Sequence, residues 1–185
     1  MTRLAPRYLA LALALAVGTT GMAFAQTNEA QADRAAPNPA TMTNAPDAKF
    51  VEAASAAGLA EVSLGKLGAQ QGQSQDVKAF GQQMVDDHTK ANDELKTIAA
   101  GKSIPVSTAP MAQDAKAATM IAKKQGAAFD AAFKKKMVAD HEKAVMLFTK
   151  ESKGGKDPDL KAFATKTLPT LQHHLEMAKQ LPAGK

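Results

Sequence analysis

The 185-residue chain has no cysteine and no tryptophan, and its single tyrosine, Tyr8, lies near the N-terminus. Without cysteine there are no disulfides, thiolate metal ligands or cysteine nucleophiles, so in an oxidising compartment the core alone must hold the fold. With aromatics scarce and the net charge only +5, the basic stripe and stacking rings of a nucleic-acid reader are missing. No segment sustains the alternation of a β-strand. There is no Ser/His/Asp arrangement, phosphate loop or paired catalytic carboxylates. The apolar run from Tyr8 to Val17 is shorter than the roughly 20 residues a spanning helix needs.

That run instead completes a signal peptide. Arg3 and Arg7 precede it, and Ala23-Phe24-Ala25 supplies a small-residue cleavage site, predicting a mature chain that starts at Gln26 with net charge +3. No cysteine follows for lipid attachment. The expected location is the periplasm, with outer-membrane association left open. Residues 26–46 are rich in Ala, Asn, Pro, Thr and Gln and read as a disordered tether.

From residue 47 to 182 the signals are helical. Asp47 is placed to cap a first helix running to Gln71. Ser74 caps a second, which Gly101 and Pro105 end. A short third begins near Thr108, with Pro110 in its first turn, and stops before Gly126. A fourth runs from Ala127 to Ser152, and Asp157-Pro158 opens a fifth that reaches Leu181. The expectation is an all-α bundle of four long helices with one additional short helix.

A near-repeat of thirteen residues singles out the inward face. Ala79 to Ala91 recurs as Ala132 to Ala144, with Phe80/Phe133, Met84/Met137, His88/His141 and Ala91/Ala144 at i, i+4, i+8 and i+11. The same arithmetic puts His174 in line with Phe163, Leu171 and Ala178, turns His173 to solvent, and puts Glu61 in line with Phe50, Ala54 and Gly68. Gly58, Gly65 and Gly72 run beside that stripe and would let another helix approach closely. Each long helix thus offers one ionisable group on its apolar side. A lone inward histidine is ordinarily a core residue bonded to a carbonyl or carboxylate, here Asp87 or Asp140. Four such groups on four helices point instead to a metal site, because bundles build such sites from facing helices and neutral imidazole suits Zn, Cu, Fe and Ni. Asp87 and Asp140 would then support the ligands from behind. Met84 and Met137, one turn before two of the histidines, suggest copper, but methionine at helical spacing is more often core filler. The run Lys134-Lys135-Lys136 reads as a solvated face.

Gly58-Leu-Ala-Glu61-Val-x-Leu-Gly65, Met84-Val-x-Asp-His88, Met137-Val-x-Asp-His141-Glu-Lys-Ala and Leu168-Pro169-x-Leu171-x-x-His174-Leu175 together resemble the domain of unknown function family DUF4142. That resemblance spans about residues 49–181. It implies a ferritin-like four-helix bundle in an exported protein, with Glu61, His88, His141 and His174 at the family's motif positions. Members are often labelled outer membrane proteins, but no barrel or spanning helix is written here. Ferritin-like iron enzymes carry Glu-x-x-His on two helices. Here Val85, Val138 and Leu171 stand three residues before the histidines, so a carboxylate-bridged di-iron centre is not encoded. The expected function is that of a periplasmic bundle rather than an enzyme, which either holds one transition metal ion (Zn, Cu or Fe) through Glu61, His88, His141 and His174 or uses its inward histidines as a pH-sensitive polar cluster. A metal-dependent redox enzyme and an envelope stress or interaction protein with a protein partner are the alternatives.

Overall fold

Residues 46–182 are described by the structure, a computed structural model. The expected signal peptide, its cleavage site and nearly all of the expected tether lie outside the described residues. Five helices follow in order: α1 (Pro46–Gln71), α2 (Gln75–Ala100), α3 (Ala112–Ala122), α4 (Gly126–Gly154) and α5 (Pro158–Gln180). The described residues are all-α, as expected. None of these helices is long and apolar enough to cross a membrane.

Helix starts follow local chemistry. The Ser74 hydroxyl accepts from the Val77 amide, and Asp157 accepts from the amides of Asp159 and Leu160 ahead of Pro158. Three boundaries depart from the sequence reading. Gly101 sits in the right-handed region, and α2 is stopped by Ser103 at φ 56°. There the Ile104 amide returns to the Ala99 carbonyl at 3.0 Å while the Ile104 side chain is buried, the closing bond of a Schellman turn. α3 starts at Ala112 rather than near Thr108. Asp47 lies inside α1, and its carboxylate accepts from the Lys156 and Asp157 amides at 3.0 and 2.7 Å, across the bundle.

α1 packs along α2 and α4 along α5, while α1 also meets α4 and α2 meets α5. α2 and α4 therefore face each other across the diagonal. Phe80 and Phe133 lie 6.2 Å apart between ring centroids, and His88 and His141 5.6 Å apart. Both pairs are eight residues apart along their helices, so α2 and α4 run parallel and in register. The near-repeat is the trace of that register. Parallel α2 and α4 require the segment between them to travel back along the bundle, and α3 does so against α1 and α4. One long crossover between two hairpins is the connectivity of ferritin-like bundles.

Two apolar clusters fill the interior. Phe50, Phe148 and Phe163 meet edge-on or tilted with centroids 5.1–6.5 Å apart, beside Leu95, Leu160 and Leu171. Phe80, Phe129, Phe133, Met84 and Met137 gather at the other end with Leu64 and Val77. Buried carboxylates tie the ends. Asp130, early in α4, accepts from the Gln73 and Ser74 amides of the α1–α2 turn at 2.8 and 2.9 Å, as Asp47 does for the α4–α5 turn. An amide in a turn has no helical partner, so each aspartate replaces the water that burial removed.

Close approach of α1 and α2 depends on small residues. A Cβ on Gly81 would fall 2.5 Å from the Ala69 nitrogen and 2.6 Å from the Gly65 oxygen, and one on Gly65 would fall 2.7 Å from the Gly81 oxygen. Both obstacles are backbone, which cannot turn aside. Gly81→Ala is therefore expected to destabilise the bundle by about 1–3 kcal/mol despite alanine's better helix propensity, measured by chemical denaturation.

Glu151 is buried near Asp47, and its carboxyl is pushed up to about 7, first by burial and then by the Asp47 carboxylate. The folded chain holds this proton more tightly than the unfolded one. Its contribution to stability is complete below the ordinary value of 4.5 and drains away as pH rises through about 7. Glu151→Gln is expected to raise the melting temperature at pH 8, with the gain over the wild type vanishing by pH 5.

Candidate metal centre

Between the two apolar clusters lies a layer of imidazoles. His88 on α2, His141 on α4 and His174 on α5 are all buried, with ring centroids 5.5–5.6 Å apart. One ring nitrogen from each comes within 4.8 Å of the others. Helical phase alone left their heights undetermined; the parallel register of α2 and α4 brings two level, and α5 supplies the third. The Phe80 ring closes one side at 6.3 Å from His141 and 6.4 Å from His174.

Two of the three outward nitrogens are engaged. His141 Nδ1 lies 2.9 Å from the Met137 carbonyl, which can only accept, so this nitrogen carries the hydrogen. His174 Nε2 lies 3.0 Å from Asp87 Oδ2 and donates to it. Lone pairs are thereby left on His141 Nε2 and His174 Nδ1, and these atoms, with His88 Nε2, are buried without a partner. Unpartnered buried nitrogens are rare because each forfeits its hydrogen bond to water. Three such nitrogens in one cluster of rings could serve as donors to a cation, with the outer nitrogens of His141 and His174 held as metal-binding histidines require.

The electrostatics keep these rings neutral. Burial lowers His88 well below 6.5, and the other two imidazoles would repel its charge. Burial takes His141 to about 4 against the opposing pull of the Met137 carbonyl. Burial also lowers His174, partly offset by Asp87. An ion at about 2.0–2.1 Å from tetrahedral ligands spaces them roughly 3.4 Å apart, so small side-chain rotations separate the present spacing from a closed site.

The remaining expected residues divide. Glu61 is buried beside His141, its Oε1 3.9 Å from Nδ1, the nitrogen already bonded to Met137, and it lies outside the trio. Its carboxyl is held well above the usual range by burial and by the nearby Asp140. Asp87 supports His174 on α5 rather than its sequence neighbour His88. Asp140 instead bonds Lys136 Nζ at 2.7 Å, and Lys136 also reaches Asp114 of α3 at 2.7 Å. The lysine run is thus not uniformly solvated: the Lys136 side chain is 14% exposed, and Lys134 bonds the Leu181 carbonyl at 2.5 Å. The i,i+4 spacing of Lys136 and Asp140 was the available signal for that bridge. His173 is exposed, as expected, and Met84 and Met137 are fully buried.

Comparison with known proteins agrees with this architecture. No curated protein matches the chain in sequence. Among solved structures, the one described as "CopM in the Cu(I)-bound form" superposes with a TM-score of 0.60 at 19% identity, covering 72% of this chain and 93% of that one, a likeness of fold. The family model described as "Domain of unknown function (DUF4142)" matches residues 31–181. With its bundle and all four motif segments inside that span, the chain belongs to the DUF4142 family.

Proposed function

We propose that this protein is an exported metal-binding protein that holds one transition metal ion through His88, His141 and His174. The observation carrying this reading is the set of three buried, clustered imidazoles, each with an unpartnered nitrogen, while the outer nitrogens of His141 and His174 are engaged. His88, His141 and His174 would bind the ion, and Asp87 and the Met137 carbonyl would fix two of the rings. Zinc, copper and iron all accept imidazole. Copper as Cu(I) is the first candidate, because a single charge is cheaper to bury among neutral ligands than a double one. The Cu(I)-bound state of the similarly folded CopM supports the same choice. Export rests on the N-terminal sequence pattern.

Elemental analysis of protein carrying no histidine tag, loaded in turn with Cu(I), Zn(II) and Fe(II), tests the reading. One equivalent of metal is expected, lost in His141→Ala. Asp87→Asn should weaken binding by about 10–100-fold while the bundle stays folded. No stoichiometric metal under any loading would return the histidines to a structural role.

The site should also tolerate acid. Metal competes with protons for imidazole, and burial sets that competition at pH values below the ordinary 6.5, about 4 for His141. Bound metal is expected to persist at pH 5.5 and to be released as the pH falls toward 4. Release centred on 6.5, followed by equilibrium dialysis, would mean that the ligands are exposed.

A further inference from the structure

A cavity of about 220 Å³ lies between the imidazole layer and the Phe50–Phe148–Phe163 cluster. It exists because Ala54, Ala57, Ala91 and Ala144 place only methyl groups where the helices would otherwise fill the space. Phe148, Phe163 and Leu171 form an apolar wall, and the cavity opens past the exposed Met111, Gln113 and Lys143. Glu61, His88, Asn92, Asp114, Asp140 and Thr167 line it as well. Glu61 is 5% exposed, and its Oε2 has no hydrogen-bond partner.

A buried acceptor in a largely apolar chamber selects a particular kind of guest. Water needs two to four polar partners to remain in a cavity, and a dry apolar cavity of about 150 Å³ already admits benzene. The present space takes a single ring with a small substituent, and a guest able to donate a hydrogen bond would satisfy the free carboxyl oxygen. Aromatic rings at the wall favour an aromatic body in edge or offset contact.

We propose that this cavity binds a small uncharged phenol, its ring against Phe148 and Phe163 and its hydroxyl donating to Glu61 Oε2. The proposal goes beyond the metal reading and does not rest on it, since the helices shape the cavity without an ion.

The test is calorimetric titration of the full chain, stripped of metal by a chelator, with phenol and with toluene. Saturable one-to-one phenol binding is expected. Glu61→Leu, similar in volume but lacking the acceptor, should weaken phenol about tenfold and leave toluene unweakened. Ala57→Leu and Ala144→Leu, which fill the space independently, should each abolish both. Absence of saturable phenol binding to the wild type overturns the proposal, as does phenol binding that survives both filling variants. Equal weakening of phenol and toluene by Glu61→Leu would also overturn it, by showing that the oxygen is not the acceptor. Thermal melts establish that each variant is folded, and the wild-type titration with the two filling variants decides the matter if Glu61→Leu does not fold.

Discussion

An imidazole taken out of water loses hydrogen bonds at both nitrogens, and this bundle takes three out at one height. Two of the outer nitrogens recover partners from the protein: a carbonyl one turn earlier on the same helix for His141 and a carboxylate from the neighbouring helix for His174. The inner ones do not. Everything around the layer is consistent with holding that arrangement. The Phe80–Phe133 contact sets the register of the diagonal helices, the crossover through α3 makes them parallel, and the buried aspartates keep the hairpins from sliding. A slide by one turn would move each ring about 5.4 Å, as far as the rings now stand apart.

Small residues perform two different tasks. At Gly65 and Gly81 the absence of a side chain lets two backbones touch, so α1 and α2 pack closely. Alanines nearer the Phe50 cluster have the opposite effect. They leave space rather than closing it, and the space adjoins Glu61, His88 and Asp140, each of which has an unpartnered atom. Close packing at one end and a cavity at the other place the imidazole layer at the boundary between rigid core and accessible volume.

Long-range polar ties were the least legible features. Asp47 reads as an ordinary helix cap, because local sequence offers free amides just after it. The turn it serves is more than a hundred residues away. Lys136 reads as one of three solvated lysines until α3 brings Asp114 over it. Gly101 reads as the end of α2, yet Ser103 takes the left-handed conformation because burying Ile104 sets where the chain must turn. In each case the local pattern is real, and a contact distant in sequence overrides it.

Periodicity alone determined which face of each long helix turns inward, and so that Glu61, His88, His141 and His174 lie beneath the surface, though not that Asp47, Asp130 and Glu151 do. The repeated Phe, Met, His and Ala spacing also determined that two helices carry the same stripe. Rotation about a helix axis is written in the residue order; translation along the bundle is not, because apolar stripes can pack at many heights. Only the tertiary structure decided that three of the four groups meet while Glu61 stands aside facing a cavity, since heights depend on loop lengths, backbone contacts and the buried aspartates acting together.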